Sequence, residues 1–202
     1  MSGRLIVLEG IDGSGKSTQV RRLAQGHDFD VTFQFGATEV GSAIRSILLD
    51  PSNRRLDDRT EAMLIIADKA QHVREIVRPA LDSGRTVVSD RYCASTLAYQ
   101  GYGRGLDRRL LDEMMQFATQ GLAPDLTVLL DIDIAAARGR LGDQRDRIER
   151  AGIEFYQRVR DGYLKLAAQH PDSWVVIDAA GSVDEVAARV ASVVDDWLRE
   201  NP

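Results

Sequence analysis

The chain has 202 residues, 44% apolar and 28% charged, with a formal net charge of −5. This size and balance suit one globular domain with a sizeable core, and the acidic excess weighs against a general nucleic-acid or membrane-surface binder, which needs a basic face. A single cysteine, Cys93, excludes an internal disulfide and a cysteine metal cage and fits a reducing cytosol; no stretch reaches the roughly 18 apolar residues of a membrane span or reads as a signal peptide.

Strand-like and helix-like segments alternate along the chain, without internal repeats. Leu5–Leu8 is an apolar run that stops at glycine, and Ser17–Gln25 reads as a helix. Phe29–Phe35 is a second strand closed by Gly36, and Thr38–Leu49 has helical periodicity through Val40, Ile44, Ile47 and Leu48. After the turn Asp50-Pro51-Ser52-Asn53, a long and bent helical stretch runs from Arg59 to Asp82. Thr86–Ser89 is a third strand ending at Asp90, Asp107–Thr119 a helix, and Leu126–Leu130 a fourth strand. Ile134–Arg140 starts a helix that Leu141-Gly142-Asp143-Gln144 breaks, and Ile153–Ala168 resumes with Phe155, Val159, Tyr163 and Leu166 at helical spacing. Trp174–Ile177 is a fifth strand, and Val183–Leu198 a final amphipathic helix. Apolar strands separated by helices predict a parallel sheet covered on both faces, with ligands at the strands' C-terminal edge. The acidic residues at strand ends, Asp12, Asp90 and Asp131, are therefore the ones to inspect, Asp131 being the least informative.

Gly10-Ile11-Asp12-Gly13-Ser14-Gly15-Lys16-Ser17 has the spacing of a P-loop. Between a strand and a helix, such a loop turns successive backbone N–H groups toward a phosphate. Lys16 is placed to reach the β- and γ-phosphates of ATP, and the Ser17 hydroxyl to coordinate Mg²⁺. Thr18 follows in the first helical turn. Asp90 closes an apolar strand as a carboxylate suited to Mg²⁺ or its waters, and Arg91 beside it offers a bidentate grip on a second phosphate. Arg138, Arg140, Arg145, Arg147 and Arg150 cluster around Gly139 and Gly142, a composition suited to a lid over approximately residues 138–150 that neutralises charge in the transition state. Cys93 reads as a packing residue, and His27, His72 and His170 show no metal-ligand spacing with one another.

Across nearly its whole length the chain resembles thymidylate kinases. Three segments carry the resemblance: Leu8-Glu9 with the P-loop; Asp90-Arg91-Tyr92, Ser95, Thr96 and Ala98-Tyr99-Gln100-Gly101-Tyr102-Gly103-Arg104-Gly105; and the lid ending in Asp146-Arg147-Ile148-Glu149. The resemblance implies a single α/β domain over residues 1–202: a three-layer P-loop kinase fold with a five-stranded parallel sheet, flanking helices and an arginine-rich lid. It implies transfer of the ATP γ-phosphoryl group to dTMP, with Mg²⁺, in a cytoplasmic homodimer that binds neither nucleic acid nor membrane. ATP would lie on Gly10 to Thr18 and Arg138. dTMP would meet Asp12, Phe35, Arg45, Ile65, Lys69, Arg91, Thr96, Tyr99 and Gln100. Catalysis would rest on Lys16, Arg91 and a lid arginine, Arg140, Arg145 or Arg147, because no arginine lies between Gly10 and Lys16.

The departures fall on the acceptor side. Phe33-Gln34-Phe35-Gly36 stands where bacterial members carry Arg-Glu-Pro, Ile65 where a thymine-stacking phenylalanine is usual, and Lys69 where an arginine reads the thymine edge. Lysine keeps the charge but loses the planar fork. One expectation is that Phe33 or Phe35 supplies the missing aromatic contact. The residues alone leave open a kinase for another (deoxy)nucleoside or nucleoside monophosphate, or a nucleotide-binding protein without catalysis.

Overall fold

The computed structural model describes residues 3–141, 147, 148 and 151–201. Five strands, β1 (Leu5–Glu9), β2 (Asp30–Phe33), β3 (Val87–Asp90), β4 (Leu126–Asp131) and β5 (Trp174–Asp178), form one sheet in the order β2-β3-β1-β4-β5. Every pairing is parallel. β1 is central and buried at all five positions, as a strand covered on both faces must be. The order reverses at β1: the chain moves from β2 and β3 on one side to β4 and β5 on the other. The crevice at the C-terminal end of β1 is the switch point where such sheets bind ligands.

The helices are α1 (Lys16–Gly26), α2 (Glu39–Leu49), α3 (Asp58–His72), α4 (Arg78–Asp82), α5 (Cys93–Thr96), α6 (Arg108–Thr119), α7 (Ile134–Arg140), α8 (Ile153–Gln169) and α9 (Val183–Glu200). Polar side chains start several of them. Thr38, Asp57, Asp107 and Asp133 each accept a backbone N–H from the first turn, and Ser182 forms a reciprocal box with Glu185. The largest core cluster joins Ile6 and Leu8 of β1 and Val128 and Leu130 of β4 to Val159 and Tyr163 of α8 and Val190 and Val194 of α9.

Three local readings of the sequence change. The stretch predicted as one helix from Arg59 is α3 and α4 joined by a π turn, Val73–Val77, where the Arg78 N–H bonds the Val73 carbonyl. Pro79 follows at once; its ring crowds the preceding turn and it has no N–H to donate, so a widened turn suits it. The segment after Tyr92, to which the sequence reading assigns no element, is helical: α5 runs into a π-helical stretch, Leu97–Gly103. Two of its glycines serve close packing. A Cβ on Gly103 would lie 2.6 Å from the Phe155 ring of α8. Finally, β1 ends at Glu9, and Asp12 belongs to the loop beyond it.

The expected lid lies only partly within the described residues. α7 carries Arg138 and Arg140, and Arg147 and Ile148 are described. Gly142, Asp143, Arg145, Asp146, Glu149 and Arg150 lie outside them, so Arg145 has no assigned position.

Candidate active site

The P-loop leaves β1 at Gly10 and enters α1 through Gly15, the N-cap, at φ +94°. Gly13 permits the tightest approach. At φ +82°, a Cβ there would sit 2.2 Å from the Ala137 carbonyl oxygen. Lys16 is 5% exposed and turns back along the loop, donating from Nζ to the Ile11 carbonyl at 2.9 Å and to Ser14 Oγ at 3.3 Å. Burial, reinforced by the nearby Arg91 cation, lowers its pKa to about 8. Ser17 Oγ donates to Asp90 Oδ2. Ser17 comes from the first turn of α1 and Asp90 from the end of β3, which pairs with β1 at Leu8.

These groups floor a cleft of about 850 Å³ that also meets Gly13, Thr18, Arg91, Arg140, and Gly181 to Val183. Arg140 reaches across it to the carbonyls of Ala179 and Gly181 at 3.2 and 3.3 Å. Arg138, expected on the ATP side, is not among the lining residues.

Arg91 joins this cleft to a second cavity. Its backbone is left-handed, φ +72°, a costly conformation for a residue with a Cβ. Many contacts hold it there. The Arg91 N–H donates to the Leu8 carbonyl at 2.9 Å, and Nη1 donates to the Gly10 carbonyl, Ser95 Oγ and Tyr163 OH at 3.0 to 3.1 Å. Nη2 pairs with Asp12 and donates to Tyr99 OH at 3.2 Å. Tyr99 and Tyr156 donate in turn to Asp12 Oδ2, both at 2.9 Å. Burial opposes charge on Asp12, but Arg91, Lys16 and the two tyrosine hydroxyls hold its carboxyl below the usual range.

The second cavity, about 110 Å³, collects residues distant in sequence: Asp12, Gln34, Phe35, Arg45, Ile65, Lys69, Arg91, Thr96, Tyr99, Gln100 and Ile148. All nine residues expected on the dTMP side line it. Of the two phenylalanines, Phe35 faces this cavity, with the Arg45 guanidinium 5.3 Å from its ring, whereas Phe33 is 44% exposed and borders the larger cleft. Thr96 Oγ1 is buried without a hydrogen-bond partner among the described residues.

Lys69 lines this cavity and is also tied into the structure beneath it. Its buried ammonium donates to Gln34 Oε1 at 2.6 Å and the Tyr92 carbonyl at 2.9 Å. Gln34 Nε2 meets His72 Nδ1 at 2.8 Å, and His72 Nε2 meets Thr32 Oγ1 at 2.6 Å. This buried chain ties the end of β2, and hence Phe35, to α3. The Gln34–Phe35 peptide bond is cis.

Several site residues escaped the sequence reading. Glu9, fully buried, accepts the backbone N–H groups of Tyr92 and Ser95 at 2.8 and 3.2 Å and the hydroxyls of Ser95 and Tyr163 at 2.6 and 2.8 Å. A carboxylate at the end of an apolar strand is the signal that drew attention to Asp90, and it applied to Glu9 as well. Glu61 accepts from Gln100, Arg104 and Arg147. Arg147, expected over the phosphates, lies on the acceptor side, where its Nε also donates to the Leu48 carbonyl at 2.8 Å. Asp131 holds Arg160 of α8 bidentately at 2.7 and 2.8 Å and takes no part in either cavity. Burial pushes the Cys93 thiol up to about 11, unsuited to a nucleophile.

The family model described as thymidylate kinase matches residues 8–190. The chain belongs to the thymidylate kinase family. It is 48% identical to a thymidylate kinase of Solidesulfovibrio magneticus over 96% of this chain and 99% of the relative. It is 44% identical to one of Desulforudis audaxviator over 100% of this chain and 95% of the relative. The crystal structure of thymidylate kinase from Ehrlichia chaffeensis superimposes with a TM-score of 0.80 at 30% identity, covering 96% of this chain and all of that one. In this family member one wall of the second cavity rests on the buried Lys69-Gln34-His72 chain.

That chain carries a pH signature. Burial, and then the Lys69 cation, lower the His72 pKa from 6.5 to about 4, so the folded protein keeps the ring neutral. Between these values the unfolded chain binds a proton that the folded chain does not. Stability is fully present above pH 6.5 and falls as the pH drops toward about 4, by up to about 3 kcal/mol from this residue. Urea unfolding of wild type and His72→Gln across this range should show a shallower acid loss in the variant. Parallel curves would refute the assignment.

Proposed function

We propose that the chain transfers the γ-phosphoryl group of ATP to dTMP, giving dTDP. The observation that carries this reading is Arg91, one guanidinium bordering both a P-loop cleft and an acceptor cavity. The two substrates would approach from opposite sides of it, with ATP on Gly10 to Thr18 and dTMP in the pocket of Phe35, Ile65, Thr96, Tyr99 and Gln100. The attacking group is a phosphate oxygen, already anionic, so catalysis reduces to alignment and charge neutralisation rather than proton removal. Lys16 would leave its loop contacts for the β- and γ-phosphates. Anions there favour its protonated form, reversing the shift caused by burial. Arg91 would hold the dTMP phosphate with help from Arg45, and the Tyr99–Asp12 pair would line the sugar edge. Arg140, which faces the cleft, is the described lid arginine best placed to meet the transferring group.

Ser17 and Asp90 suit Mg²⁺, since a hydroxyl and a carboxylate are hard oxygen donors and a nucleotide-bound Mg²⁺ needs only one or two of them from the protein. Bound there, the ion would neutralise charge on the β- and γ-phosphates.

A single nucleotide-kinase unit over residues 1–202 accounts for both cavities, and the cytoplasm, where ATP and nucleoside monophosphates are held, is the compartment that this chemistry fits. No helix among the described residues is long and apolar enough to cross a membrane. A homodimer through α3 and α6 is supported by the apolar side chains they expose: Met63, 52% exposed, and Leu110 and Phe117 on α6, the last 88% exposed.

With ATP and Mg²⁺, assays of dTMP, dUMP and thymidine side by side should show the highest kcat/KM for dTMP, and Lys16→Ala should lower kcat about a hundredfold or more with unfolding unchanged. Preference for thymidine, or near-normal turnover by the variant, would contradict the reading. Light scattering should give a dimer mass for the wild type and a monomer mass for Phe117→Glu; a variant that stays dimeric would remove α6 from the interface.

A further inference from the structure

Glu61 lies outside every motif that pointed to the site, yet it is fully buried and gathers three donor residues from two parts of the chain. Its Oε1 accepts from Gln100 Nε2 at 2.9 Å and Arg104 Nε at 3.3 Å, and its Oε2 accepts from Arg104 Nη2 at 3.2 Å and from Arg147 Nη2. Burial opposes its charge, but the Gln100 amide and the two guanidinium groups outweigh that and hold its carboxyl below the usual range. An ionised carboxylate can only accept hydrogen bonds. The Gln100 amide must therefore turn its NH₂ group toward Glu61. Its carbonyl oxygen is left for the cavity that Gln100 lines.

Two neighbouring polar groups line the same wall. The Lys69 ammonium gives two of its three N–H donors to Gln34 and the Tyr92 carbonyl, and the Thr96 hydroxyl can rotate to donate or accept, so neither supplies the acceptor that a protonated ring nitrogen needs as the Gln100 oxygen does. We propose that Glu61 is a specificity-determining positioning residue: by fixing the Gln100 amide it makes the pocket present a hydrogen-bond acceptor, selecting a pyrimidine whose ring nitrogen carries a proton, thymine or uracil, over cytosine. Cytosine offers a lone pair at that nitrogen and would face the amide oxygen with like polarity. The inference rests on the pocket being the nucleobase site of a nucleoside monophosphate kinase. Glu61 also anchors Arg147, whose neighbour Ile148 lines the same cavity, so the reader and part of the wall share one carboxylate.

Steady-state kinetics of the full chain with dTMP and dCMP at saturating ATP test this. In Glu61→Gln the partner amide both donates and accepts, so Gln100 is free to turn over. The dTMP-over-dCMP ratio of kcat/KM should fall about tenfold or more, with the KM for ATP unchanged. Gln100→Met should lose discrimination as well, and the double variant should lose no more than Gln100→Met alone, because Glu61 acts through Gln100. An unchanged ratio in Glu61→Gln with wild-type thermal unfolding, or losses that multiply in the double variant, would overturn the proposal. Should Glu61→Gln fail to fold, Glu61→Asp keeps the charge beside both arginines while withdrawing the carboxylate from Gln100; a reduced ratio supports the proposal and an unchanged one overturns it. Wild-type protein inactive on dTMP would overturn the proposed function and this inference together, whereas an active wild type with an unchanged ratio in the variants overturns only the inference.

Discussion

The contact between Arg91 and Asp12 is the constraint on which the site depends. A guanidinium taken largely out of water is costly unless it is paired and its donors are satisfied. Here an aspartate, two tyrosine hydroxyls, a serine and a backbone carbonyl meet it, and they come from the P-loop, the segment after β3, and α8. The same contacts hold a left-handed backbone at the end of β3. Loosening any of these elements would leave a buried charge short of partners, so the P-loop and the wall of the second cavity are fixed relative to one another. In-line transfer needs such rigidity, since misplacement of reacting groups by about 1 Å costs on the order of a hundredfold in rate.

Two buried carboxylates extend the pattern. Glu9, beneath the loop, collects donors from the segment after β3 and from Tyr163. Glu61, beneath the acceptor cavity, collects Gln100, Arg104 and Arg147. Each adds polar contacts between elements that the apolar clusters also bring together. The Gln34-His72-Lys69 chain does the same for β2 and α3. The apolar layers build the sheet, and the buried polar groups set the angles at its ligand-binding edge.

Much of the fold was legible because its signals are local. Apolar runs gave all five strands to within a few residues, and alternation with helices gave the parallel sheet. The P-loop was legible for the same reason, a short motif with fixed glycine spacing. The stretch from Cys93 to Gly103 was not, because Gly101 packs closely on α6 and Gly103 on α8 rather than making a turn, and close packing leaves no period. Lys69 shows the limit of reasoning by position. Its charge suggested a base reader, but only the three-dimensional arrangement shows that Gln34 and the Tyr92 carbonyl engage it. Arg147 is a similar case: arginine-rich composition suggested phosphate contact, whereas Glu61, 86 residues earlier, decides where it goes.

The claim at the centre of the account is that Arg91 serves the acceptor phosphate while the P-loop serves ATP. Arg91→Lys keeps a positive charge but loses the planar fork. Measured with ATP and dTMP, this variant should lose about a hundredfold or more in kcat/KM for dTMP while the Kd for ATP changes by less than about threefold. An equal loss for both substrates, or no loss for dTMP, would contradict the account.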